Sequence, residues 1–396
     1  MKSAFTGNTA GKAEQGKMSD IEVDGIKLEL ENPQPEDAPL SDGPVAVAPA
    51  GSQRYRLVFS GTAAEYFRIW IVNLFLTVIT CGVFAAWAKV RSRRYLYTHT
   101  LLAGQPFDYM ANPWIIFKGN LVLGAGLLIY LAADTVNALY STGVLCAFYL
   151  VLPYLIFKSL RFNAHNSVYR NIRFRFYGGM KESYAIYLLL PILIPLTLGL
   201  IVPYWMYRRK KYFFNNFSYG ATRNFFEGRS GPFYRTYGLA GLMSLVFLGL
   251  IAAGVMGFVT LSEDFSFHPA EINQAIIVIP VLFYAVMMTY FTVVQQYIFG
   301  RVTNYCWAQT RAGDLQFQSR LKIRSLLWIR LTNIFAILVS AGLLIPWAKI
   351  RRTRYILSSL AIVSERSLDE YTASAEADES AIGDVATDFF DIAIGI

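Results

Sequence analysis

The sequence predicts an all-α polytopic integral membrane protein with internal repeats, small cytoplasmic β-hairpins between its helices, and disordered acidic tails. Three observations carry that expectation. Seven apolar runs (67–88, 115–133, 142–157, 184–207, 238–260, 275–299 and 328–348) are of about the length that crosses a hydrocarbon core roughly 30 Å thick. They lack the polar faces at helical period that buried helices of a soluble domain would show. Charge makes up only 16% of the 396 residues, against about 25% in soluble domains. Finally, one string of residues occurs twice with the same spacing and a third time in looser form.

Residues 1–52 and 363–396 each hold nine acids, against four Lys and one Arg respectively, so the tails carry −5 and −8 and residues 53–362 carry +22. Acidic segments poor in periodic apolar residues read as disordered tails. The N-terminal tail has no apolar stretch of signal-peptide type. Within 53–362, Thr80, Gly82, Ala86, Trp87, Ala88, Lys89, Arg91, Arg94 and Tyr95 return as Ser340, Gly342, Pro346, Trp347, Ala348, Lys349, Arg351, Arg354 and Tyr355. A looser copy runs through Thr197, Gly199, Pro203, Tyr204, Arg208, Lys211 and Tyr212. Alternating residues at 172–176, after the turn residues Tyr169-Arg170-Asn171, predict a half-buried strand. Comparable segments lie at 98–109, 216–226 and 303–317, giving four expected hairpins. The membrane domain therefore divides into halves 53–182 and 183–325 and a half-repeat 326–362.

Orientation follows from the loops. Five to seven Lys and Arg lie in each of 89–118, 158–182, 208–237 and 300–330, and four more in 349–354, while 134–141 and 261–274 have none. The positive-inside rule places the basic segments in the cytoplasm. Runs 184–207 and 328–348 then have basic residues on both sides, which seven alternating spans do not accommodate. Re-entrant segments, bent at Gly82, Gly199 and Gly342 and at the prolines nearby, would leave four full spans with both tails cytoplasmic. Seven plain spans remain the alternative.

The chemistry on offer is sparse. Nine acids face 31 basic residues in 53–362, and none lies mid-run, which argues against carboxylate-coupled ion transport and against a paired-carboxylate active site. Cys81, Cys146 and Cys306 have no metal spacing and the three His are scattered, so no catalytic residue, metal or cofactor is expected. The candidate anion- or headgroup-binding residues are Lys89, Arg91, Arg94, Arg208, Lys211, Lys349, Arg351 and Arg354, at the ends of apolar runs where cations reach phosphates. Trp87 and Trp347 beside them suit an aromatic belt. Asn73 and Asn333 share one repeat position and form the candidate intramembrane polar pair, either bonding between helices or lining a conduit.

The run Glu65-Tyr66-Phe67-Arg68-Ile69-Trp70-Ile71-Val72-Asn73-Leu74, with Thr80, Gly82 and Trp87-Ala88-Lys89-Val90-Arg91, Arg93-Arg94-Tyr95, resembles the YjgN-like bacterial inner-membrane proteins, as do Pro113, Ile116, Lys118 and Gly119. The likeness covers roughly 53–362 and weakens where Tyr204 and Met206 replace the Trp and Lys of the string. It implies a multi-pass protein of the bacterial inner membrane and a domain of unknown function. The expectation is a non-enzymatic envelope protein whose basic cytoplasmic face binds anionic lipid or a cytoplasmic protein partner, without nucleic acid. A channel or uncoupled transporter for a small or anionic solute is the alternative, and a membrane enzyme comes third.

Overall fold

The computed structural model describes residues 52–220, 222–263 and 269–372. The expected disorder of residues 1–51 and 373–396 lies outside the described residues. The all-α expectation is overturned, because the strands close into one antiparallel barrel in the order β1-β10-β9-β8-β7-β6-β5-β4-β3-β2. These strands are β1 (Gln53–Phe59), β2 (Thr100–Leu102), β3 (Gln105–Tyr109), β4 (Ser167–Tyr169), β5 (Ile172–Phe176), β6 (Phe217–Tyr219), β7 (Thr222–Phe226), β8 (Thr310–Ala312), β9 (Leu315–Ser319) and β10 (Leu360–Ser364).

Strands are present at each of the four expected positions, but not as isolated hairpins. A pair of helices inserted after β1, β3, β5, β7 and β9 returns the chain to where it left, so each strand pairs on both sides. Closure removes the exposed edges that small hairpins would have carried. The helices are α1 (Ala63–Ile79), α2 (Ala85–Thr98), α3 (Pro113–Val136), α4 (Ala138–His165), α5 (Met180–Tyr184), α6 (Leu190–Leu196), α7 (Val202–Asn216), α8 (Gly231–Glu263), α9 (Pro269–Ala308), α10 (Ile323–Val339) and α11 (Ile345–Ser358). A π-helical turn, Ala185–Leu189, joins α5 to α6 just before Pro191.

Strand pairing fixes which rim the helices leave from. Phe59 faces Thr100, Tyr109 faces Ser167, Phe176 faces Phe217, and Phe226 faces Thr310, so these helix pairs grow from one rim. The fifth pair leaves beside them, where Ser319 faces Leu360. The tight turns lie at the other rim. Ala103-Gly104 and Arg170-Asn171 have positive φ at both central residues, the primed turn that matches strand twist. Barrel closure pairs Gln53 with Ser364 at that same rim.

The interior is packed. At the turn rim Leu102, Tyr169, Ile172, Tyr219, Leu315 and Ile362 form the core, joined by Leu368 and Tyr371 from the short helical turn that follows β10. Residues 363–372, expected in the disordered tail, thus complete the barrel: apolar side chains in an acidic context found a pocket that the local sequence does not announce. At the helical rim Phe59, Tyr109, Phe176 and Phe226, each ending its strand, are buried.

Four helices among the described residues are long and apolar enough to cross a membrane: Pro113–Val136, Ala138–His165, Gly231–Gly257 and Pro280–Ala308. Asn112 and Asn137 begin α3 and α4 as side-chain caps. The other three apolar runs are bent double. Cys81-Gly82, Leu198-Gly199 and Ala341-Gly342 all take left-handed φ, and the amides of the three glycines bond to the carbonyls of Thr77, Ile194 and Ile337. Such a helix end turns the chain sharply. The tips are bare apolar surface, with Leu198 93% exposed.

Candidate anion-binding interface

Four of the five helix pairs are tied to their strands by a tyrosine placed five residues before the returning strand; in the α3–α4 pair Phe162 holds that position. The Tyr95 hydroxyl donates to Thr62 O (3.1 Å) and accepts from Thr62 N (3.0 Å). Tyr355 does the same at Lys322, Tyr305 at Arg229, and the Tyr212 hydroxyl donates to Gly179 O (3.1 Å). Those backbone groups sit three residues past the end of β1, β9, β7 and β5. The sequence signal was present, since Tyr95, Tyr212 and Tyr355 belong to the recurring string, but nothing in it says what the hydroxyls meet.

The eight candidate cations fall between the bent apolar tips and the barrel. Helix α1 touches both α2 and α11, so Lys89, Arg91 and Arg94 share a sector with Lys349, Arg351 and Arg354. Helix α7 packs on α6 and α8, which separates Arg208 and Lys211 from the rest. The eight are therefore distributed around the helices instead of forming one pocket.

Several of them have structural partners. Arg94 pairs with Asp108 (3.2 Å) and Arg208 with Glu182 (3.8 Å). Lys349 donates to the Tyr66 hydroxyl of α1 (2.6 Å) and Arg354 to Gly61 O in the turn between β1 and α1 (2.9 Å). Arg351 donates to Thr332 (2.7 Å) and Asn333 (3.2 Å) and lies over the Trp347 ring. Lys211 lies over the Tyr207 ring. Lys89 and Arg91 make no ion pair among the described residues, and Arg91 is exposed.

Asn73 and Asn333 are both buried, at 4% and 5% exposure. Each bonds within its own helix pair. Asn73 Nδ2 donates to Ala88 O (3.4 Å) and Ser92 Oγ (3.3 Å), and Asn333 Nδ2 donates to Ala348 O (3.1 Å). They are two copies of one staple that locks a bent helix pair, since the amide reaches a carbonyl of the returning helix. Among the described residues no three His, Cys, Asp or Glu come together as a metal site.

The family model described as "Bacterial protein of unknown function (DUF898)" matches residues 54–389. Three curated relatives share the name "Inner membrane protein YjgN". That of Salmonella typhimurium is 31% identical over 158 residues, 38% of either chain. Those of Escherichia coli O157:H7 and Escherichia coli K12 are 31% and 30% identical over 150 residues, 37% of either chain. The alignment thus spans less than half the length of each relative. No solved structure matches. The matched span takes in every strand but the first residue of β1, and the chain belongs to the YjgN-like family of bacterial proteins of unknown function.

Proposed function

We propose that the protein is a multi-pass scaffold of the bacterial inner membrane, with the barrel and both tails on the cytoplasmic side and a ring of cations at the level of anionic lipid headgroups. The observation that carries this is the common rim from which all five helix pairs leave. Helices α3, α4, α8 and α9 run through the bilayer, while the three bent pairs enter and return. From the bend at Gly82, Lys89 lies about 10 Å and Arg94 about 18 Å along the helix at 1.5 Å per residue. One leaflet contributes about 15 Å of hydrocarbon, half of the roughly 30 Å core. A tip at mid-bilayer therefore brings Lys89 through Arg94 to the headgroups, and the same spacing holds from Gly342 to Lys349 and Arg354.

Free cations at that depth gain roughly 1 kcal/mol each near an anionic surface. The packed barrel interior and the staple role of Asn73 and Asn333 favour a scaffold over a conduit for a solute. The basic barrel wall would also suit an acidic cytoplasmic protein partner, and we read the sequence halves 53–182 and 183–325 as a duplication.

Two measurements test this reading. In a cysteine-free variant, Asp314→Cys at a barrel turn should label only from the cytoplasm and Leu139→Cys, in the first turn of α4, only from outside. Labelling of position 314 from outside would refute it. In detergent, added phosphatidylglycerol should raise the thermal midpoint more than phosphatidylcholine, and Lys89→Gln with Arg91→Gln should shrink the difference. Equal effects of the two lipids would remove the headgroup assignment.

A further inference from the structure

The barrel closes where its first strand meets its last, and that seam carries a cleft of about 480 Å³. Strand registers set its shape. On the outer face Arg54 lies beside Val363 and Arg56 beside Ala361, while Ala361 lies beside Gln318 and Val363 beside Gln316 on the far side. One row further, the Arg320 amide donates to Ser359 O (2.9 Å). The floor of the cleft is thus formed where α11 passes into β10, by the small side chains of Ser358, Ser359 and Ala361 with Leu360. Arginines of β1 rise on one side, and Arg320 and Lys322 on the other. Strands two apart stand about 10 Å from one another, a gap that guanidinium forks on both sides can close over one tetrahedral oxyanion.

The charge on the seam is one-sided. Elsewhere on the barrel and its rim several cations have a side-chain partner: Arg94 meets Asp108, Arg208 Glu182, Arg311 Glu227 and Arg366 Asp314, while Arg173 meets His165 and Arg223 stacks on Tyr177. The seam cleft is lined by Arg54, Arg56, Arg320 and Lys322 and by no carboxylate, and none of the four makes an ion pair among the described residues. Burial, followed by the neighbouring charges of Arg320 and Arg56, lowers the pKa of Arg54 from its ordinary value. Four cations held together without a counter-charge repel one another, and an anion bound between them would relieve that repulsion. Lys322 is held in place, since its amide donates to the Tyr355 hydroxyl (2.9 Å) and its carbonyl accepts from the same group (3.1 Å). The wall residue is therefore fixed by the tether that ends α11.

We infer that the seam cleft is a binding site for a phosphomonoester, gripped between Arg54 and Arg56 of β1 and Arg320 and Lys322 beyond β9. A phosphomonoester carries between one and two negative charges near neutral pH and offers three acceptor oxygens, which suits a donor set made almost wholly of guanidinium and ammonium groups. Two sources share this chemistry, a soluble phosphorylated compound and the headgroup of an acidic lipid. A second cleft shares Tyr355 and Ser358 with the first and is lined by Ala63, Ile329, Trp347 and Ile350 together with Arg351 and Arg354. Its apolar side would give acyl chains a path next to the phosphate.

The site is independent of Lys89 and Arg91, so its test stands apart from the one above. The full chain in phosphatidylcholine nanodiscs is titrated with inorganic phosphate by calorimetry, and separately reconstituted with phosphatidic acid and followed by its thermal midpoint. Saturable phosphate binding identifies a soluble ligand. A midpoint raised by phosphatidic acid without phosphate binding identifies a lipid headgroup. In either arm Arg56→Gln and Arg320→Gln should each weaken the effect about tenfold, the scale of one lost charge-assisted pair. Arg223→Gln, which removes a cation stacked on Tyr177 far from the seam, should leave it unchanged. Ligand-free midpoints of the variants equal to the parent show that folding is intact. Failure of both probes to act, indifference of the effect to both seam substitutions, or an equal loss with Arg223→Gln would each overturn the site.

Discussion

Gly178 and Gly179 are adjacent, yet the fold treats them as opposites. A Cβ added at Gly178 would stand 2.5 Å from Cε1 and 2.7 Å from Cζ of Phe176, and 2.8 Å from Cε2 of Tyr212. Carbon atoms in contact prefer about 3.5–4.0 Å, so both rings must retreat by about 1 Å. They have little room, because Phe176 is only 5% exposed, Tyr212 is fully buried, and the two rings meet edge to face at 5.2 Å. Overpacking of this kind costs about 1–3 kcal/mol, and with two pinned rings the upper end applies. At Gly179 no atom lies within 4 Å and the backbone is extended, with φ −81° and ψ 145°. An alanine there gains roughly 0.4–1 kcal/mol by restricting the unfolded chain. It loses a similar amount because glycine is the better cap at the start of α5, so the net change is near zero. The pair should therefore differ by about 2–3 kcal/mol, or roughly 5 °C or more in thermal midpoint for a domain of this size. Tryptophan fluorescence of detergent-purified protein at one fixed scan rate reads the shift. Phe176→Leu should recover part of the loss in Gly178→Ala and none in Gly179→Ala, because only the first variant has a ring to relieve. Equal midpoints for the two alanine variants would refute the steric account.

Other consequences can be checked the same way. Tyr355→Phe leaves both the amide and the carbonyl of Lys322 without their partner, and should cost about 1–3 kcal/mol, whereas Tyr234→Phe, on an exposed ring, should cost nothing measurable. Leu368→Ala removes a side chain that is 3% exposed in the barrel core, and a midpoint drop worth about 2–4 kcal/mol is expected; no change would mean that the segment after β10 does not close the barrel. Burial raises the pKa of Tyr169 above its usual value near 10. Its neutral form is favoured in the folded state, so that stabilisation is complete below about pH 10 and lost as pH rises through the folded pKa. The midpoint should fall more steeply above pH 10 in the parent than in Tyr169→Phe, and parallel curves would contradict this.

What could be read from the sequence was local. The apolar length of α3, α4, α8 and α9 and the primed-turn residues Ala103-Gly104 and Arg170-Asn171 announce themselves over a few neighbours. Bends at Gly82, Gly199 and Gly342 were legible because glycine, with prolines nearby, loosens an apolar helix and permits a bend. The barrel was not legible, because its strands are three to seven residues long and their pairing partners lie across inserted helices. Even so, Arg54, Tyr55, Arg56, Leu57 and Phe59 alternate at period two as a strand wall should. That short signal was masked by its place beside an acidic tail. The candidate cations were found by composition at an interface, which locates depth but not partners. Hence Arg94 and Arg208 were grouped with Arg91 although each has a carboxylate, and the unpaired set at the seam went unnoticed.

Because Arg56 pairs with Ala361, the ring can close only when the last strand has been made. At 5–20 residues per second, the roughly 300 residues between them take about 15–60 s to synthesise. The membrane helices that emerge in that interval can be placed in the bilayer before the barrel exists. During that time β1 offers an open edge that any passing strand can pair with. Assembly of this protein is then a race between its own tenth strand and its neighbours, and a chain that stops short of Leu360 has no strand of its own to finish it.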